Sequence, residues 1–141
     1  MKSANFAFIL LLGLSNIVFA HGEDKLGPHG GYIRMPGPFH TEVLALSKFQ
    51  LKIYLLDIQW QNPTTNDSKI EVKYKKGKVS ELAKCEPSGL FFNCSFSGNV
   101  NLKAKAKIEV IAERGKQKGS VATYELPLAL ANKQGDHSNH H

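Results

Sequence analysis

Apolar residues recur along most of this chain with a period of two. Phe49, Leu51, Ile53 and Leu55 alternate with Gln50, Lys52 and Tyr54. Ile70, Val72 and Tyr74 alternate with Glu71, Lys73 and Lys75. Leu90, Phe92, Cys94 and Phe96 alternate with Phe91, Asn93 and Ser95. From Leu102 to Ala112 the even positions are apolar and the odd ones are mostly Lys and Glu. Ala and Lys favour helix there, but the period is two, so a strand is expected. Ala122, Tyr124, Leu126 and Leu128 form a last set, and Pro127 marks an edge strand or its end. A strand places every second side chain on one face, so each segment is built to bury one face and wet the other.

The punctuation between these segments agrees. Met35-Pro36-Gly37-Pro38 reads as a turn, with Pro then Gly at the central positions of type II. Asn62 to Ser68 is a polar loop, and Lys76-Gly77, Pro87-Ser88-Gly89 and Gly115 to Gly119 mark three more reversals. With strands at 31–35 and 39–46 this gives about seven. The expected class is all-β, an antiparallel β-sandwich of immunoglobulin-like kind, with a small barrel as the alternative.

The first twenty residues do not belong to that pattern. Lys2 supplies a positive start, Phe6 to Leu14 is apolar apart from Gly13, and Val18-Phe19-Ala20 has the small residues of a cleavage site. We expect residues 1–20 to be a cleaved export signal, and the protein to be periplasmic or secreted. A membrane anchor is the other reading, since Ser3 to Ala20 is uncharged and near the lower limit for a span. Residues 21–28 then form a flexible arm, 29–131 the β-sandwich domain, and 132–141 a disordered, His-rich tail. The composition, 42% hydrophobic and 21% charged, is too apolar and too mixed in sign for a chain disordered throughout.

Cys85 and Cys94 are the only cysteines. They flank a reversal, and in an oxidising compartment such a pair bonds. One disulfide is expected. A dithiolate metal site would want a nearby His or CxxC spacing, and the sequence has neither.

The histidines lie at the two ends of the chain: His21, His29 and His40, then His137, His140 and His141. If Gly31–Met35 pairs with Phe39–Leu46 across the turn, Ile33 lies opposite His40, Gly31 opposite Glu42 and His29 opposite Leu44. His29, His40 and Glu42 would then share one face in a row. Row neighbours stand roughly 7–8 Å apart at Cα. His29 and His40 would meet only if His29 bends back, which Gly30-Gly31 permits. The row is a candidate metal site. Its bland counterpart is a core-directed face, because Ile33 and Leu44 lie on it too. Cleavage after Ala20 would make His21 the N-terminus, whose amine and imidazole together chelate Cu(II). Glu23, Asp24 and the tail histidines His137, His140 and His141 are candidate auxiliary ligands of the kind that capture copper, nickel and zinc, the tail's other reading being a solvated polar end.

Pro28-His29-Gly30-Gly31, the Phe39-His40-Thr41-Glu42 segment and a strand ending in Asp57 resemble small periplasmic proteins associated with heavy-metal efflux. The same residues are similar to the N-terminal part of efflux adaptors of the resistance-nodulation-division type. The resemblance covers His29 to Asp57. It implies a β-rich periplasmic protein that binds or hands over a copper- or zinc-type ion, with a heavy-metal efflux pump component as partner. The chain departs from the adaptors in having no long helical hairpin.

The formal charge is +6. Lysines at 73, 75, 76, 78, 84, 103, 105 and 107 fall mostly on outward positions of the strands. A solvated face that blunts edge pairing accounts for them, and an anionic envelope or acidic partner is the sharper reading. Export argues against a nucleic-acid partner. No phosphate loop, nucleophile elbow or carboxylate pair stands out, so no catalytic residue and no enzyme is expected. The competing readings are a metal-buffering or metal-delivering protein, and a non-catalytic envelope interaction module whose histidines are incidental.

Overall fold

The structure, a computed structural model, describes residues 25–128. The expected signal at 1–20, the candidate ligands His21, Glu23, Asp24, His137, His140 and His141, and the tail lie outside the described residues. Among the described residues there are ten strands and no helix. They are β1 (Tyr32–Arg34), β2 (His40–Ala45), β3 (Gln50–Leu56), β4 (Lys69–Lys76), β5 (Val79–Leu82), β6 (Lys84–Ser88), β7 (Phe91–Ser95), β8 (Ala106–Arg114), β9 (Gln117–Lys118) and β10 (Ala122–Leu126).

The alternation decides how they stack. β1, β2, β3, β7 and β6 lie side by side in one sheet, and β10, β8, β4 and β5 in the other, with β9 also on β8. All pairs are antiparallel. Leu51, Ile53, Leu55, Phe92 and Cys94 of the first sheet meet Val72, Tyr74, Ile108, Val110, Ala112, Ala122, Tyr124 and Leu126 of the second in one buried cluster. Two antiparallel sheets sharing one core make a sandwich. A polar link crosses that core. The Tyr124 hydroxyl donates to the Thr41 carbonyl at 2.9 Å and accepts from Thr41 Oγ1. Burial pushes the Tyr124 phenol far above its ordinary range. Arg34 lies over the same ring, 5.0 Å from its centroid.

Ten strands replace the expected seven because β5, β6 and β9 carry no alternation. Each is short and mostly exposed. β5 and β6 are sheet edges, and an edge strand with no buried face leaves no periodic signal. Pro87 sits inside β6, where an edge has no need of its missing N–H. The reversal falls at Gly89-Leu90, with Gly89 at φ +65. Cys85 and Cys94 face each other directly across β6 and β7 and form the disulfide.

Two other expectations change. Leu102 to Lys105 is not the start of β8. Asn101 Oδ1 accepts the Lys103 N–H at 3.0 Å, and the Ala104 N–H donates to the Asn101 carbonyl, so a side-chain-capped turn replaces the strand. Leu102 still reaches the core, at 1% exposure. Gly37 does not take the positive φ of a type II turn. The Pro36 carbonyl instead accepts from Ser120 N–H and Oγ, at 2.8 and 2.9 Å, tying this link to the other sheet.

The sandwich has two distinct ends. At one, the β2–β3 turn meets the crossover from β7 to β8, with Leu102 N–H donating to the Lys48 carbonyl at 2.7 Å. At the other, the loop from Asp57 to Ser68 lies against the β6–β7 and β8–β9 turns. Thr65 Oγ1 donates to the Gly89 carbonyl there, and Lys116 N–H to the Asp67 carbonyl.

Candidate functional site

β1 and β2 pair with Ile33 opposite Glu42, two residues along from the expected register. A shift of two keeps every side chain on its face. His40, Glu42 and Leu44 therefore still share one face with Ile33, and it points away from the sandwich core. It is nonetheless buried. Glu42 is 0% exposed, and His40 and Leu44 are each 7% exposed. Over Glu42 and Leu44 the cover is the segment Lys25 to Gly31, so the last residues of the expected arm belong to the folded body. Leu26 bridges to Tyr32, Ile33 N–H donates to the Lys25 carbonyl, and Gly27 N–H to the Gly31 carbonyl at 2.7 Å. Gly30 turns the chain at φ +82.

That turn carries His29 back over Glu42 rather than out opposite Leu44. Glu42 Oε1 accepts the backbone N–H of His29 at 2.8 Å and of Gly31 at 3.0 Å. Glu42 Oε2 lies 2.7 Å from His29 Nδ1. Close approach requires the glycines. A Cβ on Gly27 would stand 2.5 Å from Glu42 Cδ, and one on Gly31 would stand 2.8 Å from Glu42 Cγ. Tyr54, opposite Glu42 on β3, stacks flat on the imidazole with centroids 3.7 Å apart and planes 3° from parallel. Burial first, and then the charge of Glu42, raise the Tyr54 phenol pKa. The aromatic run continues to Phe91, 5.4 Å from Tyr54, and Lys52 Nζ sits 4.3 Å over the Phe91 ring.

The His29 ring is thus held by its Nδ1 edge and by one face. Its Nε2 makes no hydrogen bond among the described residues, and the side chain is 32% exposed. A buried carboxylate on Nδ1 fixes the tautomer and makes Nε2 the better lone-pair donor, as it does behind metal-bound imidazoles generally.

His40 is placed differently, and the expected three-residue ligand row does not form. Its Nδ1–H donates to the Asp57 carbonyl at 3.0 Å, and its Nε2 accepts from the Trp60 indole N–H at 3.2 Å. Both ring nitrogens are occupied in the interior, so His40 is a satisfied structural histidine. Asp57 builds the loop that supplies Trp60. Its Oδ1 accepts from the N–H groups of Gln59 and Gln61, and its Oδ2 from Asn62 Nδ2 at 2.8 Å. The Gln61 hydrogen bond first, and then that of Asn62, hold the Asp57 carboxyl below its ordinary range. Trp60 takes φ +64 within this loop.

Among the described residues no three His, Cys, Asp or Glu side chains gather closely enough to hold a metal ion. The chain matches no family model, no curated protein and no solved structure. Nothing in the sequence tied Tyr54 to His29, and Trp60, by itself a core or loop-anchor aromatic, is tied to His40 only through the folded loop. The one available signal for Trp60 was the Asp57 to Asn62 stretch, whose Asp after a strand is suited to a side-chain-nucleated turn.

Proposed function

We propose that this protein captures a copper- or zinc-type ion in the cell envelope and buffers it or hands it on, as an accessory to heavy-metal efflux. The observation that supports the reading is the Glu42–His29 pair. A fully buried carboxylate holds the imidazole by Nδ1, and its outer edge remains half-exposed. His29 Nε2 is the anchoring ligand in this reading. Glu42 orients it from behind and does not itself bind the ion, because both its oxygens are engaged. Tyr54 fixes the plane of the ring. His40 is withdrawn from the ligand set. The remaining donors are assigned to His21, Glu23 and Asp24, five to eight residues upstream, with His137, His140 and His141 as auxiliary captors. Imidazole with carboxylate suits zinc, and an imidazole pair with a terminal amine suits Cu(II).

Calorimetric titration of wild type, His29→Ala, His40→Ala and Glu42→Gln with Zn(II) and Cu(II) tests this. His29→Ala should lose the tight phase, and Glu42→Gln should weaken it about 10–100-fold, the usual effect of losing a carboxylate behind a ligand histidine. His40→Ala should bind as wild type once its lower stability is allowed for. Wild-type affinity in His29→Ala would overturn the assignment. It would leave the Glu42–His29 pair as a latch for the N-terminal segment of an interaction module.

A further inference from the structure

We infer that the end of the sandwich bearing the β2–β3 turn docks on an anionic lipid bilayer. The register places Lys75 directly opposite Lys107 on neighbouring strands. Like charges so placed repel, and sheets ordinarily avoid the arrangement. Around the pair, Lys75, Lys76, Lys105 and Lys107 line one open cleft with a single acid, Glu125. Glu109 binds Lys75 at 3.0 Å and lies between Lys73 and Lys107. Lys78 follows in the β4–β5 turn, and Lys103 in the crossover. The same crossover bonds to the carbonyl of Lys48, in the β2–β3 turn.

That turn is the second observation. It presents Leu46 at 44% exposure and Phe49 at 50%, on either side of Lys48. The turn is held in place by Leu46 N–H and Ser47 N–H, which both donate to the Gln50 carbonyl, and by the Phe49 carbonyl, which accepts from Phe96 N–H. Val79, just past the β4–β5 turn, is 43% exposed. A rigid turn with an aliphatic and an aromatic tip, backed by a spread of lysines, matches a bilayer surface. The tips enter the headgroup layer and the lysines meet lipid phosphates. An acidic protein partner would match the charge but would need an apolar pocket shaped to Leu46 and Phe49, whereas a bilayer needs none.

The test is co-sedimentation of the full chain, as cells make it, with vesicles of phosphatidylglycerol mixed into phosphatidylcholine, and with phosphatidylcholine alone. Lys75→Gln/Lys107→Gln should weaken the anionic partition by roughly 25-fold, about fivefold per lysine. Phe49→Ser should weaken it at high salt as well as low. Lys116→Gln/Lys118→Gln, at the far end of β8, should leave it unchanged. A spin-labelled lipid should broaden the amide signals of residues 46–49 and 103–107 before those of 116–118. Equal losses from the two lysine pairs, uniform broadening, or tight binding to polyglutamate with none to anionic vesicles would each overturn the inference.

Discussion

Glu42 shows how much one residue can carry. It is fully buried, and it accepts two backbone N–H groups as well as the His29 imidazole. Glu42→Ala leaves the His29 and Gly31 amides without acceptors, and should cost about 2–4 kcal/mol in urea unfolding. The two core tyrosines offer a contrast. Tyr124→Phe removes a donor and an acceptor that Thr41 uses across the sheets, and should cost about 1–2 kcal/mol. The Tyr74 hydroxyl is buried without a hydrogen-bond partner among the described residues. Tyr74→Phe should therefore fall within about 0.5 kcal/mol of wild type, or above it. Asp57 gives a pH dependence. Its carboxyl is held low by the 57–62 loop, so its stabilisation is fully present above the ordinary carboxylate range. It is lost as the pH falls through the lowered value. The gap in stability between wild type and Asp57→Asn should narrow on acidification, as read by urea unfolding at a series of pH values.

At the level of elements, the long strands were legible because each buries one face and exposes the other. β3, β4, β8 and β10 all repeat that pattern. β5, β6 and β9 were not, because their places are set by hairpin partners rather than by a core. The site was half legible. His29, Glu42 and the Gly30 bend could be placed from spacing. The register could not, since a slip of two residues preserves the faces and only packing distinguishes the two pairings. His40 was misassigned because its partners, the Asp57 carbonyl and the Trp60 indole, come from a loop 17 and 20 residues away. The covering turn is itself a target. Gly31→Ala drives a methyl to 2.6 Å from Leu44 Cδ1 and 2.8 Å from the Val43 carbonyl. It should cost about 1–3 kcal/mol and raise hydrogen exchange across residues 25–33. Cys85→Ser/Cys94→Ser removes a short-loop staple at the sheet edge, and should cost about 2–3 kcal/mol by thermal or urea unfolding.

For the whole molecule, the sandwich separates its surfaces. The outer face of the sheet β1-β2-β3-β7-β6, under the N-terminal segment, carries the held imidazole. One end carries the lysines and the exposed turn, and the opposite end is closed by the Asp57 loop over His40. In the proposed account, metal capture and membrane docking occupy different surfaces and can proceed together. In the proposed function His29, and not His40, meets the ion. The most direct test is the ring-nitrogen NMR spectrum of the histidines, recorded with and without stoichiometric Zn(II). With Zn(II) bound, His29 Nε2 should shift to the position of a metal-bound nitrogen while both nitrogens of His40 keep their signals. Movement of His40 with His29 unchanged would contradict this assignment.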